Sequence, residues 1–147
     1  MLLVTWRVSG KEFDVDSFVA EFALEPYVVF RAGEARSRGR GLHTESGFNH
    51  PVGRDDDDLD HALEDMRVFL RERRTVLEAI VQRGAASSLA VGFTVGDDQH
   101  FTRSVHIPPD LLREMALADV ELEVSAYPCG GDEEPAPPAP PVGSAGG

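Results

Sequence analysis

The segment 59–83 constrains the fold more than any other part of the chain, because it carries an apolar residue at nearly every helical turn. At about 100° per residue these side chains fall within about 60° of one another. They are Leu59, Leu63, Met66, Leu70, Leu77 and Val81. Asp58 is positioned to cap the first turn, and Gly84 to end the helix in the left-handed conformation that other residues resist. The pattern predicts one long helix packed against a second layer.

Strands are predicted where apolar and polar residues alternate, because successive side chains of a strand point to opposite faces. The segments read in this way are 2–8, 27–32, 42–48, 89–95 and 120–126. The turn residues Gly96, Asp97 and Asp98 predict a hairpin to a further strand at 101–107. Two shorter helices are predicted at 14–24 and 111–118.

This order of elements predicts an α+β fold over residues 1–127. We expect a two-layer sandwich in which the helices cover one face of a mostly antiparallel sheet. A ferredoxin-like βαββαβ core followed by a βαβ-like extension accounts for the order. Residues 128–147 include six Pro, five Gly and three Ala, and we expect them to form a disordered tail.

Charge and cysteine content exclude several classes of function. The 147 residues include 26 acidic and 14 basic side chains, which gives a formal net charge of −12. Such a charge repels nucleic-acid backbones and anionic membranes. A single cysteine, Cys129, cannot form an internal disulfide or a cysteine-rich zinc site. We therefore expect a cytoplasmic protein with no cofactor and no nucleic-acid or membrane partner.

Carboxylates are concentrated just before and within the start of the long helix. The seven within eleven residues are Asp55, Asp56, Asp57, Asp58, Asp60, Glu64 and Asp65. Their combined field attracts cationic groups, and the first six are predicted to bind a basic protein. A solvated helix-capping face is the simpler alternative. Although His61 could join these carboxylates in a transition-metal site, we predict no metal here, since the EF-hand glycine and glutamate positions hold Asp60 and Met66.

The main basic stretch lies between the second and third predicted strands. Its arginines are Arg31, Arg36, Arg38 and Arg40, interleaved with Gly33, Gly39 and Gly41. Arginine grips carboxylate or phosphate at two points, so Arg36, Arg38 and Arg40 are candidate ligands for a small anion. Pairing with the aspartate run and a plain solvent-exposed loop are the other interpretations. No phosphate-binding motif frames the stretch.

Several connecting segments resemble a family of bacterial domains of unknown function, number 4279, over about residues 2–127. The matching motifs are Leu24-Glu25-Pro26, Arg31-Ala32-Gly33-Glu34, Gly39-Arg40-Gly41, Ser46-Gly47-Phe48, Arg73-Arg74-Thr75-Val76-Leu77 and Ile107-Pro108-Pro109-Asp110-Leu111-Leu112. The resemblance implies a fold but no activity, and members are similar to bacterial toxin-immunity proteins in size and acidity.

Three functional hypotheses follow from these features. The first is a non-enzymatic, immunity-like domain that presents an acidic face to a basic, toxin-like partner. The second is a domain, enzymatic or not, that holds a small anion at the arginine loop. The third is a homo-oligomer that forms through an unpaired sheet edge or a short helix.

Overall fold

The fold is described from a computed structural model that covers residues 2–37, 39–54, 57–96 and 102–128. Its elements are β1 (Leu2–Gly10), α1 (Val15–Glu21), β2 (Val28–Phe30), β3 (Ser46–Pro51), α2 (Leu59–Glu72), α3 (Arg74–Gln82), β4 (Ala86–Val95), α4 (Pro109–Leu117) and β5 (Val120–Pro128). Cys129 and the rest of the predicted tail lie outside the described residues.

The five strands form one sheet in the order β2-β3-β1-β4-β5. Strand β1 lies antiparallel to both β3 and β4, and β2 lies antiparallel to β3. This is the arrangement of a ferredoxin-like βαββαβ core. Helix α4 then connects β4 to β5, which run parallel to each other. The α+β prediction with a mostly antiparallel sheet is confirmed.

The core lies between the helices and one face of the sheet, and it is centred on Trp6. The indole ring meets Phe48 and Phe69 edge to face, at centroid distances of 5.0 and 5.1 Å. Its Nε1–H donates to the Ser87 hydroxyl at 2.7 Å, so the one polar atom of the ring is satisfied inside the core. The buried apolar residues of all four helices join the same cluster.

The prediction of one unbroken helix at 59–83 is wrong. The helix is interrupted at Arg73, whose backbone leaves the helical region at φ −98° and ψ 11°. The interruption rotates the buried face, so that Ile80 is fully buried while Val81, predicted to face the core, is 45% exposed. Both predicted ends are confirmed: Asp58 caps α2, and Gly84 adopts a φ of +67°.

The predicted hairpin after β4 is also absent. Residues 102–107 form no strand, and Phe101 lies outside the described residues. Strand β4 has no free side for a hairpin partner, because β1 pairs with one side and β5 with the other. The apolar side chains that suggested a strand, Val105 and Ile107, pack against the core instead.

The strand predicted at 42–48 lies later in the chain, at Ser46–Pro51, and β2 is only three residues long. The residues between these strands leave the sheet and form the arginine loop described below. Within the described residues, no helix is long and apolar enough to cross a membrane.

Candidate functional site

The predicted acidic surface lies at the beginning of α2. Asp57, Asp58, Asp60 and Glu64 are exposed there, on the side of the helix away from the core. We call these four residues the acidic surface. The two other members of the predicted set, Asp55 and Asp56, lie outside the described residues.

Asp58 also has a structural role, because its side chain caps α2. One carboxylate oxygen accepts hydrogen bonds from the backbone N–H groups of Asp60 and His61, at 2.8 and 3.2 Å. A negative charge at this end also interacts favourably with the helix dipole. The cap fixes where the helix starts and therefore where the acidic surface lies.

Arg67 anchors the surface to helix α4. Its guanidinium lies 3.6 Å from the Glu64 carboxylate and 3.1 Å from the Asp110 carboxylate. Desolvation opposes ionisation of Asp110, but its contacts, led by the hydrogen bond and the charge of Arg67, hold the pKa of that carboxyl below its ordinary value. The Arg67 side chain is itself only 19% exposed. This bridge limits how far Glu64 can move.

Two further arginines approach the acidic segment. The backbone N–H of Arg54 donates to Asp65 at 3.1 Å, and the Arg54 guanidinium lies 3.6 Å from the same carboxylate. Asp65 is only 17% exposed and contributes little to the outer surface. Arg103 donates to the backbone carbonyl of Asp57 at 2.9 Å and lies 4.0 Å from its carboxylate.

These arginines neutralise only part of the charge. Glu64 and Asp110 share the single guanidinium of Arg67, so that arginine cannot balance both carboxylates. Asp60 is exposed and forms no ion pair within the described ranges. A cationic group arriving from outside would therefore meet a net negative field.

Metal binding receives no support from the described part of the chain. No group of three or more His, Cys, Asp or Glu side chains there has the arrangement needed to hold a metal ion. His61 lies on the exposed side of α2, beside the acidic surface.

Arg31, at the base of the arginine loop, is paired with two carboxylates. The Arg31 guanidinium donates to both carboxylate oxygens of Asp16, at 2.6 and 2.8 Å, and also lies 3.3 Å from Glu34. The hydrogen bond from Arg31 lowers the pKa of Asp16, and these partners raise the pKa of Arg31 itself. Neither carboxylate belongs to the aspartate run that was one predicted partner.

Beyond Arg31 the chain doubles back on itself. Backbone hydrogen bonds join Gly33 to His43, and Glu34 to His43, each at 2.8 Å. Arg36 and Arg40 lie near the tip of this excursion, exposed and without an ion pair among the described residues. Arg38, the third predicted ligand, lies outside the described residues. The guanidinium groups of Arg36 and Arg40 are therefore accessible from solvent.

His43, Glu45 and Ser46 lie close together in the sequence, but their side chains make separate contacts. His43 stacks on Phe30 at a centroid distance of 4.7 Å. Glu45 accepts a hydrogen bond from the Ser9 hydroxyl at 2.7 Å, and Ser46 accepts one from the backbone N–H of Ala32 at 3.0 Å. The three side chains therefore support the loop and the strand rather than one another.

The arginines that contact the acidic surface were not predicted from the sequence. Arg67 carried a usable signal, because it follows Glu64 by three residues on the same helix and such pairs are neighbours. Arg54 lies next to the aspartate run in the sequence. Arg103 gave no signal, because only the fold brings it to Asp57, 46 positions away.

Comparison with known proteins identifies the family of this chain. The family model described as "Domain of unknown function (DUF4279)" matches residues 2–128. No curated protein and no solved structure matches the chain.

Proposed function

The chain belongs to the DUF4279 family of domains of unknown function, and we propose that it is a non-enzymatic, immunity-like binding domain whose acidic surface receives a basic protein. The observation that carries this proposal is the exposed carboxylate charge at the start of α2, where Glu64 shares the Arg67 guanidinium with Asp110. Asp60 is the clearest example, since it is exposed and forms no ion pair within the described chain.

The acidic surface is held in place before any partner arrives. The Asp58 cap fixes the first turn of α2, and Arg67 holds Glu64 against α4. Binding to a preorganised surface avoids part of the entropy cost of ordering side chains. Fixed negative charge of this kind raises the association rate with a cationic partner and selects against acidic ones.

The spacing of the carboxylates indicates the partner's chemistry. Asp60 and Glu64 are separated by about one helical turn, or about 6 Å along the helix axis. Two Lys or Arg side chains at a similar spacing on the partner could bind both carboxylates at once. Arginine is the better match, because its planar fork binds a carboxylate at two points.

The test begins with capture of partners from the native host by wild type and by a neutralised variant. The variant carries Asp57→Asn, Asp58→Asn, Asp60→Asn and Glu64→Gln, and the asparagine at position 58 preserves helix capping. A matched control neutralises four exposed carboxylates elsewhere: Glu12→Gln, Glu25→Gln, Glu72→Gln and Asp119→Asn. Each captured protein is then purified and its dissociation constant is measured at about 50 and 200 mM salt.

We expect a basic protein that binds wild type and the control variant but binds the neutralised variant at least about tenfold more weakly. Its affinity should fall as salt rises, because the exposed charges become screened. Equal loss in both variants would mean that only net charge matters, and the proposed site would be wrong.

A second candidate function uses the arginine loop to hold a small anion. It is favoured by Arg36 and Arg40, which are exposed and have no ion pair among the described residues. Calorimetric titration with inorganic phosphate and citrate tests it directly. Binding that is lost in Arg36→Ala/Arg40→Ala, but kept in the neutralised variant, would favour this function over the acidic surface.

A further inference from the structure

Strand β5 has one unpaired side. It is the last strand of the sheet, and it pairs with β4 in an unbroken register from Val120 to Pro128. Within the described residues, no strand pairs with its outer side. Proteins usually protect such an edge with a bulge, a short strand, a proline or charged side chains, and β5 carries two carboxylates, Glu121 and Glu123. The only proline of β5 is its last residue.

We propose that β5 pairs with β5 of a second copy of this chain, antiparallel and about a twofold axis at Val124. The two sheets would join into one continuous sheet with the helices of both copies on the same face. Such an interface is isologous, which means that both copies use the same surface. If residue i of one copy contacts residue j of the other, then residue j of the first copy contacts residue i of the second. The proposal is independent of the function proposed for the acidic surface.

The charges of β5 favour this partner and this register. With Val124 opposite Val124, Glu121 meets Tyr127 and Glu123 meets Ser125, so no carboxylate lies opposite another. All nine residues of the strand find a partner. Successive side chains of a strand point to opposite faces, so a register that keeps the same faces aligned can shift only in steps of two residues. The nearest alternative registers are therefore shifted by two residues in either direction. One of these shifts places Glu123 opposite itself, and the other leaves Val120 and Glu121 outside the paired segment.

Glu123 is also compensated within its own copy. Both of its carboxylate oxygens accept hydrogen bonds from Arg7, at 2.8 and 2.7 Å. Of the two acidic side chains of β5, only Glu121 is without an ion pair among the described residues. In the proposed register it meets the exposed ring of Tyr127, which is 48% accessible.

Helix α4 presents an apolar side in the same direction as this edge. Asp110 and Glu114 form ion pairs with arginines of α2, so that side of α4 faces α2. Leu111 and Met115 are buried against the sheet. Leu112 lies about 100° further around the helix than Leu111, opposite the acidic side, and is 44% exposed. It therefore flanks the free edge of β5, where the α4 helices of two copies would approach each other.

Cysteine cross-linking tests both the pairing and its register. Val124→Cys, in a Cys129→Ser chain, places two thiols on directly opposite residues, whose Cβ atoms lie about 4.5–5.5 Å apart. Glu121→Cys in the same background is the matched control, because the two cysteines would be about 20 Å apart. On mild oxidation we expect a disulfide-linked dimer from Val124→Cys and none from Glu121→Cys. Equal cross-linking, or none, would overturn the proposal.

Light scattering with charged variants provides a second measurement. Val124 is 48% exposed, so Val124→Asp and Val124→Lys should each leave the monomer folded. Each variant alone should raise the dimer dissociation constant by about tenfold or more, because like charges meet at the axis. A mixture of the two should recover the dimer. A wild-type mass that stays monomeric at all concentrations would contradict the proposal.

The effect of salt distinguishes the pairing of two β5 strands from the binding of a basic partner at the acidic surface. Each copy carries a net charge of −12, so two copies repel each other at low ionic strength. Screening is stronger at about 0.15 M salt, where the Debye length is about 8 Å. The dimer fraction should therefore rise with salt, whereas affinity for a basic partner should fall. A dimer fraction that falls with salt would overturn the edge pairing.

Discussion

Arg7 and Glu123 form an ion pair that reaches across an entire strand. Arg7 lies on β1 and Glu123 on β5, and β4 runs between them. The Arg7 guanidinium contacts the carboxylate oxygens at 2.8 and 2.7 Å on the face of the sheet that the helices leave open. Ala90, which is paired with both Thr5 and Glu123, is only 5% exposed. The pair links the added strand β5 to the centre of the ferredoxin-like core.

Removing this ion pair should have a small, salt-dependent effect. Both side chains are about two-fifths exposed, and pairs of that kind contribute about 0–1 kcal/mol. Arg7→Met should lower the free energy of unfolding within that range at low salt, and by less at about 0.5 M salt. Urea titrations of Arg7→Met, Glu123→Gln and the double variant measure the coupling. A loss that is unchanged by salt would mean that packing, and not charge, is the cause.

Ser87→Ala should lower the free energy of unfolding by more than the loss of a single hydroxyl group implies. The substitution leaves the Trp6 indole N–H buried without its acceptor, which costs about 1–3 kcal/mol. Ser88→Ala, the next residue on the opposite face, is the matched control and should change stability by less than about 0.5 kcal/mol. Chemical denaturation monitored by tryptophan fluorescence compares them. Similar losses in both variants would contradict the role of this hydrogen bond.

Gly47→Ala should damage the sheet at the contact between β1 and β3. A Cβ atom at position 47 would collide with the Val8 carbonyl oxygen and come within 2.7 Å of the Phe30 ring. Overpacking of this severity costs about 3 kcal/mol or more. Gly33→Ala is the control, because its Cβ meets nothing within 4 Å and only the positive φ of +88° is penalised, by about 1–2 kcal/mol. Thermal unfolding should rank Gly47→Ala as clearly the less stable.

The break at Arg73 predicts opposite results for two adjacent residues. Ile80 is fully buried, so Ile80→Ala should cost about 2–5 kcal/mol through lost contacts and a cavity. Val81→Ala should cost less than about 1 kcal/mol, because Val81 is 45% exposed. In an unbroken helix with the predicted stripe, Val81 would have been the costly position. Equal losses at both positions would contradict the rotated face.

At low pH the protein should lose the stabilisation that the ionised forms of Asp14, Asp16 and Asp110 provide. A side-chain hydrogen bond from Ser17 lowers the pKa of Asp14, and one from Arg31 lowers that of Asp16. A carboxyl whose pKa is lower in the folded state stabilises the protein above its unfolded pKa, and this contribution disappears as pH falls through the folded pKa. The melting temperature should therefore fall below about pH 5. Asp16→Asn should make that fall shallower, whereas Glu25→Gln, whose carboxylate is exposed, should leave it unchanged.

Local signals predicted the elements that depend on local physics. The alternation in β1, the Asp58 cap and the Gly84 stop each act through neighbouring residues, and each is where the sequence placed it. The hairpin after β4 failed for the opposite reason. Residues 96–98 are of types that are typical of a turn, but both sides of β4 are paired with other strands, β1 and β5.

The acidic surface also has features that neighbouring residues determine and features that distant residues determine. Its residues were predicted because they lie close together in the sequence, whereas the contacts of Arg67 with Asp110 and of Arg103 with Asp57 depend on the fold. No proline or glycine next to Arg73 marks the break in the sequence. The helical spacing of the apolar residues continues through this position and predicts an unbroken helix. Tertiary packing therefore decided which of Ile80 and Val81 faces inward.

The position of β1 in the middle of the sheet has a consequence for synthesis on the ribosome. Residues 2–10 emerge before their two neighbouring strands, β3 and β4, and the β4 residue paired with Leu2 is Phe93. At about 5–20 residues per second, the first strand waits several seconds or more before both of its neighbours exist. Until then the apolar face of β1, including Trp6, remains uncovered by its native partners, and transiently exposed apolar surface of this kind favours aggregation.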